Sequence, residues 1–284
     1  MPELAYVNAT FCELAEAKVS IEDRGFQFAD GVYEVIVAYG DRPFRLAEHL
    51  ARLAGSLESI GLEFDFREQA LEEMIATGIA RAGFDQTMVY LQITRGVASR
   101  DHVCPRGVQP TVVATFKAKP RIDPALREQG LSVVTVDDIR WARCNIKSIA
   151  LLPAVLAKNE ARRRGYDDAI FVGRSGLIRE ATVANVFAVR DGALITPPKS
   201  EAILHGVTRA YVLDCAAQIG LPYQEIDLTS VELAAARELL LSSTTMDIIG
   251  VTRLNGVPVG NGRVGPVTCA LYDQFCRGIA GPTR

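Results

Sequence analysis

Residues 144–152 read Cys144-Asn145-Ile146-Lys147-Ser148-Ile149-Ala150-Leu151-Leu152, a mostly apolar stretch around a single lysine. Three further segments follow in order: Glu180 at the head of Glu-Ala-Thr-Val-Ala-Asn, then Gly206-Val207-Thr208-Arg209, then Ser243-Thr244-Thr245. Together the four segments supply an amine, a carboxylate, a glycine before a helix and a run of hydroxyls. This ordered set predicts an enzyme.

The set matches what pyridoxal 5'-phosphate needs from a protein. An amine bonds to its aldehyde, a carboxylate keeps its pyridine nitrogen protonated, and its phosphate takes backbone N–H groups, hydroxyls and a cation. The helix start after Gly206 offers such N–H groups, and Arg52 is the candidate cation. Each piece alone is weak, because a lone glutamate is usually a solvated surface group and a Gly-x-Thr before a helix is usually only a cap.

The length of 284 residues favours two domains over one. The charged, proline-containing stretch around residues 119–124 predicts an interdomain linker. We therefore predict an N-terminal α/β domain at 1–118 and a C-terminal domain at 125–284.

Periodicity predicts the elements of an α+β fold. Leucines at helical spacing indicate a helix from Leu46 to Leu57, and others are expected at about 153–164 and 210–217. Runs rich in β-branched residues predict strands, with turns at Asp191-Gly192 and Asn255-Gly256. The predicted strands are 89–93, 111–116, 131–136, a short one near 139–141, 169–172, 184–189, 194–196, 251–254 and 257–259.

Composition excludes several classes of protein. The net charge is −3 and the longest basic run is Arg162-Arg163-Arg164, so no nucleic-acid partner is expected. No apolar stretch is long enough to span a membrane and the first residues lack a secretory pattern, which predicts a cytoplasmic protein. Six scattered cysteines and three histidines show no metal-ligand spacing, so no metal is expected.

A longer motif adds to these segments. Residues 20–34, Ser-Ile-Glu-Asp-Arg-Gly-Phe-Gln-Phe-Ala-Asp-Gly-Val-Tyr-Glu, resemble the N-terminal signature of the fold-type IV pyridoxal phosphate enzymes. Within that class the chain resembles the D-amino-acid transaminases over nearly its full length. The resemblance implies a homodimer whose subunits have a smaller N-terminal α/β domain and a larger C-terminal domain with a barrel-like sheet.

The resemblance also implies roles for individual residues. Lys147 would bond to the cofactor and move the catalytic proton, and Glu180 would face the pyridine nitrogen. The other implied cofactor contacts are Arg52, Ser243 and Thr244 to the phosphate, Val207 and Thr208 through backbone N–H groups, and Leu204 against the ring. The chain departs from the family after the glutamate, where Thr182 is the one hydroxyl in Ala-Thr-Val-Ala.

Substrate selection is assigned by the same resemblance to the loop after Ile93-Thr94-Arg95-Gly96. Arg100 and His102, with the hydroxyl of Tyr33, would hold the substrate carboxylate, and Asp101 is expected to point away. The substrates implied are a D-amino acid and a 2-oxo acid. Alternatives on the same fold are a branched-chain L-aminotransferase, an R-amine transaminase and an aminodeoxychorismate lyase; a non-catalytic cofactor-binding protein is the alternative outside enzymes.

Overall fold

The computed structural model describes residues 3–67 and 69–280. They divide into two compact units. Unit 1 ends at Pro120 but also includes Ile146–Ala150, whereas unit 2 comprises Arg121–Asn145 and the chain from Leu151 onward. The domain limits expected from the sequence remain a prediction. They place residues 146–150 in the C-terminal domain, whereas the structure groups this segment with unit 1.

Unit 1 contains a six-stranded sheet with the order β2-β1-β6-β5-β3-β4, in which all pairs are antiparallel. Its strands are β1 (Leu4–Val7), β2 (Thr10–Glu13), β3 (Gly31–Tyr39), β4 (Arg42–Pro43), β5 (Gln86–Thr94) and β6 (Thr111–Ala118). Its helices are α1 (Arg24–Phe28), α2 (Leu46–Ser59) and α3 (Leu71–Ala82), with a 3₁₀ turn at Leu14–Glu16.

The core of unit 1 lies where α2 and α3 cover this sheet. On α2, Leu50, Leu53 and Leu57 are buried, which confirms the helix expected from their spacing. Gly78 of α3 lies directly against Phe116 of β6, because a Cβ atom at residue 78 would fall 2.0 Å from the ring Cζ. Close approach of the helix to the sheet therefore depends on a missing side chain.

Unit 2 contains a nine-stranded mixed sheet, which curls as in a half-barrel and confirms the α+β, barrel-like fold class. The order is β12-β11-β10-β13-β14-β7-β8-β9, with β15 paired to β14. Its strands are β7 (Leu131–Asp137), β8 (Asp168–Val172), β9 (Ile178–Ala181), β10 (Asn185–Arg190), β11 (Ala193–Thr196), β12 (Tyr223–Glu225), β13 (Glu238–Ser243), β14 (Asp247–Leu254) and β15 (Val257–Pro258). Its helices are α4 (Pro124–Gln129), α5 (Leu152–Arg163), α6 (Val207–Gln218), α7 (Ser230–Ala234) and α8 (Pro266–Ala280).

Both hairpin turns expected in unit 2 are confirmed. Asp191-Gly192 joins β10 to β11, and Asn255-Gly256 joins β14 to β15, with positive φ at all four residues. Two successive positive φ angles match the twist of the flanking strands, and Asn, Asp and Gly tolerate them. The strand expected near 139–141 is wrong. Ile139 and Trp141 lie outside any strand and are exposed, since β7 ends at Asp137 and a polar turn follows.

Two helix glycines provide a test of the packing in unit 1. Gly78→Ala should lower the free energy of unfolding by about 1–3 kcal/mol, because the new methyl group overlaps the buried ring of Phe116. Gly55→Ala on α2 meets no atom within 4 Å and should raise it by about 0.5–1 kcal/mol. Urea unfolding measures both changes, and equal stabilisation by the two substitutions would show that α3 does not pack as described.

Candidate active site

Lys147 is held against the edge of β3 in unit 1. Its carbonyl accepts a hydrogen bond from the N–H of Tyr33 at 3.0 Å, and its own N–H donates to Oγ of Ser56 on α2 at 3.2 Å. The neighbouring Ile149 N–H donates to the carbonyl of Gly31 at 3.1 Å. These bonds place the lysine Nζ 4.2 Å from the centre of the Tyr33 ring. The structure thus brings together two of the residues singled out in the sequence, Lys147 and Tyr33.

A buried ion pair lies beside them. Glu34, fully buried on β3, accepts two hydrogen bonds of 2.7 Å from the guanidinium of Arg52 and faces Nδ1 of His49 at 2.7 Å. Burial alone would raise the pKa of Glu34, but hydrogen bonds and charge from Arg52, helped by His49, lower it to about 2. Burial lowers the pKa of His49, and the charges of Arg52 and Lys147 add to this effect against the opposing contact with Glu34.

This pair shows what sequence reasoning misses in unit 1. The sequence singles out Arg52 as a phosphate ligand, and its bidentate contact to Glu34 adds a role in fixing the orientation of that guanidinium. Glu34 lies in the signature motif, but nothing in its local pattern indicates a partner eighteen residues away on a helix. His49 contacts Glu34 in the protein interior and therefore has a structural role.

Arg100 and His102 gather around Phe28 of α1. The guanidinium carbon of Arg100 lies 4.6 Å from the centre of the Phe28 ring, and the ring of His102 lies 5.4 Å from it. Both side chains are exposed. The carboxylate of Asp101 accepts a hydrogen bond from the N–H of Val103 at 3.0 Å, within its own loop.

Glu180 at the end of β9 is the centre of the polar cluster in unit 2. It is 6% exposed, and its carboxylate oxygens accept hydrogen bonds from the N–H of Leu204 at 3.0 and 3.1 Å. The amide of Asn185 donates to it at 3.2 Å, and Arg140 forms an ion pair with it. Sequence reasoning misses Arg140, because it lies in an irregular turn forty residues away.

Asn185 links this cluster to the residues proposed for phosphate binding. Its Nδ2 also donates to the carbonyl of Leu204, and its backbone is paired with Ser242, the residue before Ser243. Its Oδ1 lies so close to Gly206 that a Cβ atom there would be 2.1 Å away. Gly206 is the N-cap of α6, and the first residues of that helix are Val207 and Thr208, both buried. The structure therefore brings Glu180 and Leu204 together with the start of α6 and the end of β13, where Ser243 is followed by Thr244.

The described residues show neither a metal-binding cluster nor a membrane-spanning helix. Across residues 3–67 and 69–280, no cluster of three or more His, Cys, Asp or Glu side chains could hold a metal ion. Within the same described residues, no helix combines the length and apolar character of a membrane span.

Comparisons with known proteins all find aminotransferases. The pattern of the family described as amino-transferase class IV matches residues 31–254. The D-alanine aminotransferase of Bacillus licheniformis is 40% identical over 282 residues, which cover 97% of each chain. That of Listeria monocytogenes is 38% identical over 276 residues, covering 96% of this chain and 95% of the relative. The solved structure of the branched-chain amino acid aminotransferase from Escherichia coli superposes with a TM-score of 0.90 at 26% identity, covering 100% of this chain and 96% of that one.

The lowered pKa of Glu34 predicts an acid-sensitive contribution to stability. Because the folded pKa of about 2 lies below the ordinary value of 4.5, the contribution is complete above about pH 4.5 and is lost as the pH falls towards 2. Glu34→Gln should therefore be less stable than the wild type at pH 7, by on the order of 3 kcal/mol, and the difference should shrink below pH 4.5.

Urea unfolding between about pH 7 and about pH 3 measures this difference. Glu58→Gln, at an exposed glutamate of α2, is the matched control and should follow the wild type at every pH. A gap between the wild type and Glu34→Gln that stays constant over this whole range would contradict the proposed origin of the effect.

Proposed function

This chain belongs to the class IV aminotransferase family, and we propose that it transfers the amino group of a D-amino acid such as D-alanine to a 2-oxo acid such as 2-oxoglutarate, with pyridoxal phosphate as cofactor. The observation that carries the proposal is the buried Glu180 carboxylate, held by Arg140, Asn185 and Leu204 beside the N-terminus of a twelve-residue helix. A carboxylate and an anion-binding helix start in one cluster suit the two ends of a phosphorylated pyridine.

The donor groups fit this cofactor. A side chain at Gly206, the N-cap of α6, would collide with Asn185, so this position requires a glycine. Because glycine has no side chain, a phosphate can approach the backbone there closely. The groups that would hold the cofactor are Lys147 by a covalent bond, Glu180 at the ring nitrogen, Leu204 against the ring, and Arg52, Val207, Thr208, Ser243 and Thr244 at the phosphate. When bound, pyridoxal phosphate supplies a protonated ring that stabilises negative charge at the substrate Cα.

The residues of the chain then perform three tasks. Lys147 would take the proton from Cα of the amino-acid donor and, in the second half of the reaction, give a proton to the Cα that derives from the 2-oxo acid, which is general base and general acid work by one amine. Its backbone hydrogen bonds to Tyr33 and Ser56 limit the positions that the amine can reach. Glu180 keeps the proton on the ring nitrogen, and its four hydrogen-bonding contacts keep the carboxylate in one orientation.

The choice of D-amino acids is supported by two observations. The full-length relatives with 37–40% identity carry the name D-alanine aminotransferase. The chain also has the Arg100 and His102 pair, which with the Tyr33 hydroxyl would bind the substrate carboxylate. Branched-chain aminotransferase activity on L-amino acids is the second candidate, and it is favoured by solved structures of that name with TM-scores of 0.87–0.90 but only 25–27% identity.

We also propose that the chain works as a homodimer in the cytoplasm. Leu152, Val155 and Leu156 form an apolar face on the first turns of α5, and their exposed fractions are 66%, 47% and 53%. A contiguous exposed apolar face on a helix is typical of a protein-binding surface. A second copy of the chain is the occupant we propose, because closed symmetric dimers are the most common assemblies of enzymes.

Lys147→Ala tests the covalent role of the lysine. We expect turnover to fall at least about 1,000-fold, because both the bond to the cofactor and the proton-transferring amine are removed. Circular dichroism should show an unchanged fold. Borohydride reduction of the wild-type holoenzyme, followed by peptide mapping, should locate the cofactor on residue 147, and a label on another lysine would refute the assignment.

A panel of donors in both hands tests the substrate. With 2-oxoglutarate as acceptor, D-alanine should react at least about 100-fold faster in kcat/KM than L-valine or L-leucine, because the carboxylate-binding loop favours one hand. A preference for L-valine would establish the branched-chain alternative. Cofactor binding without turnover of any donor would point to a non-catalytic protein.

A further inference from the structure

The ring of Phe28 contacts three side chains at once. The guanidinium carbons of Arg24 and Arg100 lie 4.8 and 4.6 Å from the ring centre, and the His102 ring lies 5.4 Å away at an angle of 52°. A cation over an aromatic face is attracted to it and loses rotational freedom there. Phe28 therefore touches both members of the pair proposed to bind the substrate carboxylate.

Arg24 ties the same loop to α1 through its backbone. This arginine is 3% exposed, and its Nη1 donates to the carbonyl of Asp101 at 2.6 Å. Its backbone N–H donates to the carbonyl of Gly96 at 2.9 Å. One residue thus anchors the backbone at residue 96 and at residue 101, which lies between Arg100 and His102.

Asp30 holds Arg24 in this position. Its Oδ2 accepts hydrogen bonds of 2.8 Å from Nε of Arg24 and from Nε of Arg95. Burial alone would raise the pKa of Asp30, but the hydrogen bonds and charges of the two arginines lower it, so the carboxylate stays ionised. Asp30 thus offsets part of the charge of Arg24 and Arg95. Arg24 is buried, whereas the guanidinium of Arg100 is exposed over Phe28.

We propose that Phe28, anchored by Arg24, is a platform that holds Arg100 and His102 ready to bind the α-carboxylate of the substrate. Phe28 is on this account a positioning residue and not a catalytic one. Ordering the two side chains before the substrate arrives reduces the entropy that binding must lose. The inference rests on the proposed function, in which the amino acid and the 2-oxo acid both carry this carboxylate.

Steady-state kinetics of the holoenzyme test the platform, using whichever hand of alanine the wild type turns over faster. Phe28→Leu should raise KM about 3- to 30-fold for both the amino acid and the 2-oxo acid, since both carry the carboxylate. The value of kcat should stay within about twofold, because the reacting groups are untouched, and the cofactor absorbance spectrum should not change. Phe28→Tyr keeps the aromatic ring, and its KM should therefore equal that of the wild type.

Two comparisons separate positioning from a general packing effect. Phe26→Leu makes the same change on the same helix at a side chain that is 72% exposed, and should leave KM at the wild-type value. In a background that carries both Arg100→Ala and His102→Ala, Phe28→Leu should raise KM by less than about twofold, because its effect is exerted through these two side chains.

The outcomes that overturn the platform are distinct from failure of the proposed function. Wild-type KM values in Phe28→Leu overturn it, and so does a full additional increase in the background that lacks both Arg100 and His102. A drop in kcat and cofactor affinity with an unchanged KM also overturns it. A wild-type holoenzyme that transfers nitrogen from neither hand of alanine nor from any other amino acid overturns the proposed function first, and the inference falls with it.

Discussion

The pairing of residues 146–150 with the start of β3 is the constraint on which the lysine depends. Lys147 and Ile149 exchange backbone hydrogen bonds with Tyr33 and Gly31 on the side of β3 opposite β5. Gly31 permits this arrangement, because a Cβ atom there would lie 2.7 Å from the carbonyl oxygen of Ile93 and 3.2 Å from the Ile149 side chain. These hydrogen bonds fix the backbone of Lys147, so only the torsion angles of its side chain remain to be ordered.

Both polar clusters pair a buried carboxylate with an arginine. Glu34 is bound by Arg52 and Glu180 by Arg140, and each carboxylate has at least one further donor. An isolated buried charge is very costly, whereas a paired and fully hydrogen-bonded one is tolerated and keeps a fixed geometry. The chain therefore keeps both carboxylates buried and fully contacted by donor groups.

Sequence patterns predict the helices and turns whose formation depends on residues close together in the chain. The apolar spacing of α2, the Pro153 start of α5 and the Asp191-Gly192 turn could be read from the sequence, since each depends on residues within one or two turns of chain. The residue types for cofactor chemistry could also be listed, although their roles stay predictions. The Glu34–Arg52 and Glu180–Arg140 pairs could not be found, because they join distant segments and leave no periodic trace. The strand expected near 139–141 failed because β-favourable residues there are exposed in a turn.

The path of the chain through its two units has a consequence for synthesis on the ribosome. β3 is made early, but the segment that completes its edge follows roughly thirty residues after Pro120, a delay of about 1.5 to 6 s at typical translation rates. During that interval the nascent sheet has unsatisfied strand donors and acceptors at Gly31 and Tyr33, and it cannot reach its final hydrogen bonding. Maturation of the first unit is thus coupled to emergence of the second, and a fragment that stops at Pro120 would lack both that edge and Lys147.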